Sequence, residues 1–485
     1  MVDIIADYYD NVDSIPPRST VSPGYLSKVI SREVPEEPET FEDIKSDIDI
    51  KIMPGITHWQ SGNFFGWFPS INSFPCMLGE MYCNMFSIVA FSWGSSPAAT
   101  ELEAIVMDSL GKLIGLNKRF MALNEDGTES NGGGVIQGSA CEAQCVVMLA
   151  ARERKISHLI SQGMDIEDAE QLKGKFVAYG SDQTHSGTQK NAKVIGCRIR
   201  LVPSDKNCSL AKESLEAAVA EDRSLGLIPF YVCGTFGTTN TTAIDDITGI
   251  ADVASSEDMW FHVDAAYAGS ALVCPEIRPL AAGIERADSF DLNLHKWTPV
   301  NFDCSALWLA DATYLTKALS IQREYLPRTK TETSFAKDYR DWQIPLSRRF
   351  RSLKVWFVLR MYGAKGIRKH VKAHIIQAKW LEQQLIADNR FEIIAPVVFG
   401  LVVFRIKPCA LGSNVSTEEA NIANTELVNR IHEDNRVFLL GTHVKGLSVL
   451  RAAIGATFDT QKNVKLLLQV IKELTTSIIK DKAVR

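Results

Sequence analysis

A lysine closes an apolar run in the stretch SFDLNLHKWTPVNFD, residues 289–303, directly after a histidine. Lys296 therefore stands where lysines are seldom found, because a buried ammonium is costly unless something uses it. Asp264 ends a second apolar run, MWFHVDAA (259–266). His185 follows a third, FVAYGS (176–181), and Thr239 a fourth, LIPFYVCG (227–234). Gly132–Gly134 and the turn Gly138-Ser139-Ala140-Cys141 lead into a helix-like stretch, where unpaired backbone N–H groups can hold an anion. An amine, a carboxylate, a flat imidazole and an anion cup are together what pyridoxal 5′-phosphate requires. Lys296 would form its Schiff base, and Asp264 would keep its pyridine nitrogen protonated. His185 would stack on the ring, and Ser139–Cys141 would hold the phosphate.

Taken singly, each group has a plainer role. Lys296 can snorkel to solvent, Asp264 can cap the next helix, the glycines can make a tight turn, and His185 can be a hydrogen-bonded loop residue. The order is what carries the inference: Asp264, then His295-Lys296, each after a buried strand and downstream of a glycine-rich helix start.

Such groups need a scaffold that aligns strand ends. The runs at 176–181, 193–202, 227–234, 259–266 and 289–294 read as strands, with helical segments such as AKESLEAAVAED (211–222) between several of them. This alternation predicts a mostly parallel, buried sheet with ligands at the carboxyl ends of its strands. From Ser96-Pro97, residues Leu102, Ile105, Val106, Leu110 and Leu113 recur at helical spacing. Beyond about residue 366, a long helix, the runs RFEIIAP, GLVVFRIK and LSVLRAAIGA, and a final helix predict a small α+β domain. The expected domains are 1–85, a proline-punctuated segment that wraps another surface; 86–365, the large α/β domain; and 366–485.

Bulk properties narrow the function classes. The 485 residues exceed one core, and a 46% hydrophobic, 23% charged composition is that of a globular protein. A net charge of −6 gives no electrostatic reason to expect nucleic acid or an anionic membrane as partner. No apolar run nears the ~20 residues of a membrane helix. The start, MVDIIADYYDNVDS, lacks the marks of a secretory or transit peptide. Ten cysteines without a CxxC pair or metal-ligand spacing fit reduced thiols, so the expected compartment is the cytoplasm and no metal is expected.

SPAATELE, GGGVIQGSACEA, GSDQTHS, HVDAAYAGSA, LNLHKW and DWQIPLSRRFRSLK resemble the aromatic-L-amino-acid decarboxylases, the group II pyridoxal phosphate decarboxylases. The branch most similar is that of the plant tyrosine/DOPA and tryptophan decarboxylases, and the resemblance runs over nearly the whole chain. It implies an α/β fold of the aspartate aminotransferase type (fold type I), built as a homodimer. It also implies roles for single residues. Lys296, Asp264 and His185 keep those given above; Ala140, Cys141 and Asn293 contact the phosphate; Thr239 and His295 line the cofactor pocket. Trp59, Phe68, Pro69, Phe91 and Phe302 match the aromatic substrate wall. Tyr325, in IQREYLPRTKTETSF, matches the catalytic tyrosine of a mobile loop at about 320–337. Ser347 stands where tyrosine-preferring plant relatives carry serine and tryptophan-preferring ones glycine. Trp67, Thr298 and Pro299 depart from the usual pattern.

The implied reaction is decarboxylation of an aromatic L-amino acid, tyrosine or DOPA before tryptophan, to the amine and CO₂. Three alternatives stand beside it. In an aldehyde synthase of the same family, phenylalanine replaces the loop tyrosine or asparagine the stacking histidine, and this chain keeps Tyr325 and His185. A glutamate or histidine decarboxylase is disfavoured by the aromatic wall, and an inactive scaffold by the intact Lys296, Asp264 and Tyr325.

Overall fold

The structure is a computed structural model that describes residues 1–321, 337–458 and 461–483. It contains two compact units, Met1–Pro69 with Gln377–Arg485, and Ser70–Ile376. These units part at 69/70 and 376/377, against the boundaries of 85/86 and 365/366 read from the sequence.

The larger unit is organised on a seven-stranded sheet: β1 (Gly133–Gln137), β2 (Phe176–Ser181), β3 (Arg198–Val202), β4 (Ile228–Thr235), β5 (Trp260–Asp264), β6 (Ser289–Asn293) and β7 (Ser305–Leu309). The spatial order is β1-β7-β6-β5-β4-β2-β3. Neighbours from β3 to β6 pair in parallel, and β7 runs antiparallel to both β6 and β1. The expected mostly parallel sheet is thus present. Crossovers are made by α2 (Ala140–Ser161), α3 (Ser186–Ile195), α4 (Lys212–Ser224) and α5 (Ile247–Ser256), while α1 (Pro97–Ile114) precedes the sheet. A single turn, α6 (Leu294–Trp297), follows β6, and α7 (Arg351–Ala387) is interrupted at Gly363, whose φ is 59°. Strands β2, β5 and β6 are buried along their whole length, which explains their unbroken apolar runs.

Two local readings are corrected. Lys193–Ile195 end α3 rather than open a strand; Gly196 (φ 73°) stops the helix and β3 begins at Arg198. Gly133 and Gly134 lie in β1 rather than in a loop. A Cβ on Gly134 would meet Met107 at 2.5 Å and Trp308 at 3.0 Å, so this glycine lets the edge strand sit close against α1 and β7.

The other unit holds an antiparallel sheet of β8 (Phe391–Ile393), β9 (Leu401–Ile406), β10 (Leu440–Val444) and β11 (Leu447–Ala453), ordered β10-β11-β9-β8. Helices α8 (Thr417–Asp434) and α9 (Gln461–Ala483) bury Leu427, Ile431, Leu467 and Ile471 with Val402, Phe404 and Leu450 of the sheet. This is the small α+β domain expected. The N-terminal segment is tied into it: Asp13 accepts from Asn463 Nδ2 at 3.0 Å, and Phe65 N donates to Phe438 O.

Candidate active site

Asp264 is the last residue of β5, at the carboxyl end where the parallel strands direct their loops. Its carboxylate is buried and doubly held: Oδ2 accepts from Gln144 Nε2 at 2.7 Å and Oδ1 from Ala266 N at 3.0 Å. Gln144 Oε1 in turn accepts from Thr188 Oγ1 at 3.0 Å. Helices α2 and α3 therefore fix the carboxylate's orientation through one neutral amide.

His185 is the N-cap of α3, and its Nδ1 accepts from Gly187 N at 3.0 Å. In the neutral ring the proton then sits on Nε2. The imidazole keeps an exposed face, yet desolvation is the largest influence on it and lowers its pKa; Asp264 raises it and Lys296 lowers it further. His185 is thus brought within electrostatic reach of both Asp264 and Lys296, the other two principal residues of the sequence reading. Lys296 itself is half-buried in α6.

The turn that carries Lys296 is pinned on several sides. The neighbouring Trp297 stacks on Tyr267 at 4.8 Å, its Nε1 donates to His374 Nδ1 at 3.0 Å, and its carbonyl is 3.2 Å from His370 Nε2. The Nδ1 of His295 accepts from Cys304 N at 3.0 Å, and its carbonyl accepts from Ile71 N at 2.9 Å. Burial drives the His295 pKa down to about 4, so the ring is neutral. The unusual Thr298-Pro299 pair is anchored too: Thr298 Oγ1 is 3.1 Å from Ser270 Oγ, and Pro299 O accepts from Ser73 Oγ at 2.6 Å.

At the start of α2 the Ser139 side chain caps the helix by accepting from Glu142 N at 3.3 Å. The amides of Ala140 and Cys141 lie in the first turn, where helix geometry supplies no internal acceptor. Asn191 of α3 secures this turn by donating to Cys141 O at 2.8 Å. Asn293, the end of β6, keeps a buried Oδ1 with no hydrogen-bond partner among the described residues. Thr239 is half-buried in the loop after β4.

The residues matched to a substrate wall divide between the units. In the larger unit Phe302 packs edge-on against His295 at 4.8 Å and is 64% exposed. Phe91 O accepts from Arg340 N, and Ala90 N donates to Arg348 O, so Phe91 and the exposed Ser347 lie on hydrogen-bonded neighbouring segments. In the other unit Trp59 stacks on Trp67 at 5.1 Å, the Arg451 guanidinium lies 5.3 Å over the Phe68 ring, and Pro69 packs where a Cβ on Gly455 would stand. Tyr325 lies outside the described residues.

Sequence reading missed Gln144, Thr188, His370 and His374. Gln144 carried a signal: it is the polar residue between Ala143 and the apolar run Cys145–Met148, at a position facing the sheet. The two histidines carried none, since their partner Trp297 is far away in sequence.

Residues 23–407 match the pyridoxal-dependent decarboxylase conserved domain. The chain is 45% identical over 480 residues to phenylacetaldehyde synthase of Arabidopsis thaliana, covering 98% of this chain and 94% of the relative. It is 43% identical over 486 residues to tyrosine decarboxylase 3 of Petroselinum crispum, covering 99% and 91%. The crystal structure of Oryza sativa TDC with PLP and tryptamine superposes with a TM-score of 0.93 at 37% identity, covering 99% of this chain and 96% of that one.

The residues present fit pyridoxal phosphate. A buried carboxylate is held by two neutral donors, Asn293 keeps an orphaned oxygen, and the first turn of α2 offers its amides. Among the described residues no cluster suited to a metal is present. Fold, site and sequence kinship agree: the chain belongs to the pyridoxal-dependent decarboxylase family, among the aromatic-L-amino-acid decarboxylases, and is a pyridoxal phosphate-dependent carboxy-lyase.

Proposed function

We propose that the protein converts an aromatic L-amino acid to the aromatic amine and CO₂, with tyrosine or DOPA favoured over tryptophan. The observation that carries this reading is His185 within electrostatic reach of both the buried Asp264 carboxylate and Lys296. When bound, pyridoxal phosphate supplies a protonated ring that draws electrons from the bond breaking at Cα. The ε-amine of Lys296 would hold the cofactor at its carbonyl carbon. Asp264 keeps a proton at the pyridine nitrogen, and Gln144 keeps Asp264 aimed. His185 offers the face of a neutral ring, and the amides of Ala140 and Cys141 hold the phosphate. The Tyr325 phenol delivers a proton to Cα, a role that rests on the motif around it. Ser347 narrows the pocket against an indole.

A second reading, aldehyde formation, draws support from the relative named phenylacetaldehyde synthase. Retention of Tyr325 and His185 favours the amine. We also propose a homodimer. The helix Phe74–Phe86 exposes Leu78, Met81, Tyr82, Met85 and Phe86, an apolar face suited to a second copy. The test is to supply tyrosine, DOPA, tryptophan and 5-hydroxytryptophan in air and to quantify amine, aldehyde and hydrogen peroxide. Amine in step with CO₂, fastest from tyrosine or DOPA, is expected. Aldehyde as main product, or tryptophan as preferred substrate, overturns the corresponding part.

A further inference from the structure

Behind Asp264 the sheet carries a second ionisable pair that the reaction set out above does not use. His262 precedes Asp264 by two residues on β5 and so shares its face; Asp291 on β6 is the register partner of Asp264. Both are fully buried. Trp260 Nε1 donates to Ser289 Oγ at 2.8 Å, which leaves the serine's own proton for His262 Nδ1, 2.9 Å away. The ring proton then lies on Nε2, 3.3 Å from Asp291 Oδ1. The pair has ion-pair distance with poor hydrogen-bond alignment, and neither Asp291 oxygen has a hydrogen bond of good geometry among the described residues.

Such an arrangement is a poor device for holding a fold. A buried pair with loose geometry and unsatisfied oxygens does not recover its desolvation cost, and a second carboxylate beside Asp264 adds repulsion. It becomes favourable once a cation is placed against this face. The family's cofactor, protonated at its pyridine nitrogen, is such a cation, and Asp264 is its expected partner.

We propose that Asp291, paired with His262, is a positioning residue that sets the charge behind Asp264. It adds a second buried negative charge near the pyridine nitrogen and so strengthens both protonation there and retention of the cofactor.

The surroundings define its pH dependence. From β5, His262 and Asp264 face Asp291; from β4 come Tyr231 and Cys233, and from α6 Lys296. From β7 the register partner is Leu307, and the turn Ala268–Val273 brings no ionisable side chain. From α2, Gln144 reaches Asp264, while Arg154 lies over Trp260 at the strand's other end and pairs with Asp288. Burial and Asp264 push the Asp291 carboxyl up to about 6, and His262 and Lys296 act against that rise. A bound cation favours the ionised form, so the cofactor must displace a proton once the pH falls below about 6.

The test uses the holoenzyme across a pH series, with retention read from the bound cofactor's visible absorption and from free pyridoxal phosphate after dialysis. Thermal unfolding of the apoenzyme gives a readout independent of the cofactor. Asp291→Asn keeps the shape and removes the charge. Retention near neutral pH should weaken about ten-fold, the equivalent of one pKa unit of coupling. The retention limb near pH 6 should flatten. The variant apoenzyme should be more stable than wild type above that pH, because a carboxyl with a raised native pKa loses stability as pH rises through it. His262→Gln removes the group that lowers the Asp291 pKa, so its limb should move to higher pH. Wild-type retention and an unchanged profile in Asp291→Asn overturn the proposal, as does a limb in His262→Gln that stays put or moves down. An Asp291→Asn chain that does not fold also overturns it, by assigning the pair to the fold.

Discussion

Gln144 Nε2 donates to Asp264 Oδ2 across 2.7 Å, and Thr188 steadies the same amide from its other end. A lysine or arginine in that place would hold the carboxylate as firmly but would neutralise it. A neutral amide orients Asp264 and leaves its charge for the pyridine nitrogen that we propose it partners.

Replacing Gln144 with leucine therefore removes orientation while keeping bulk. Cofactor affinity should fall by about ten-fold. The apoenzyme should lose roughly 1–3 kcal/mol, the usual cost of leaving a buried acceptor short of a partner. Thr188→Val, one step further out, should show the same signs at smaller size. Titration of apoenzyme with pyridoxal phosphate, with thermal unfolding alongside, measures both; wild-type values for Gln144→Leu would remove this role.

Much of this site was legible because it lies at strand ends. The apolar runs before Asp264, His185 and His295-Lys296 marked β5, β2 and β6, and a parallel sheet gathers such ends by topology. The supports were not legible. Gln144 touches Asp264 across 120 residues, and His374 touches Trp297 across 77, with no local pattern to reveal either contact. Gly133–Gln137 was hidden for another reason: glycines needed for close packing in β1 look like glycines needed for a turn.

His295 gives the apoenzyme an acid limb. Its native pKa of about 4 lies below the value of an ordinary histidine, so the unfolded chain binds a proton that the native state refuses. This contribution to stability is complete above the unfolded value of about 6.5 and is lost as pH falls towards 4, by roughly 3 kcal/mol at most. His295→Gln keeps an acceptor for Cys304 N and should flatten that slope. Apoenzyme melting temperatures across the interval test it; parallel curves for the two proteins would contradict it.

Ser347→Gly should shift preference towards tryptophan. Gln343 Nε2 donates to Ser347 O at 3.1 Å, so the backbone is held while the side chain is removed. A contact of this size changes selectivity by about 10- to 200-fold at most, and the lower end is expected. The ratio of kcat/KM for tyrosine and tryptophan reports it. A ratio unmoved by the substitution would free Ser347 of this role and turn attention to Trp67.

Tyr325→Phe should change the product. In the proposed reaction loss of CO₂ does not need the phenol, whereas protonation at Cα does, and a general acid contributes typically ~10²–10⁴-fold. With protonation slowed, oxygen and water convert the remainder to aldehyde, ammonia and hydrogen peroxide. Peroxide and aldehyde should rise and amine fall in air. A variant that still releases mostly amine would place the proton donor elsewhere, with His185 first to be examined.

Lys296 as the residue that holds the cofactor is the centre of the account, and one measurement addresses it directly. The holoenzyme is reduced with borohydride, digested, and its peptides analysed by mass spectrometry. Loss of the visible absorption band is expected, with a single pyridoxyl phosphate adduct on the peptide containing Asn293, His295 and Lys296, absent from Lys296→Ala. An adduct on another lysine, or a band that survives reduction, would contradict it.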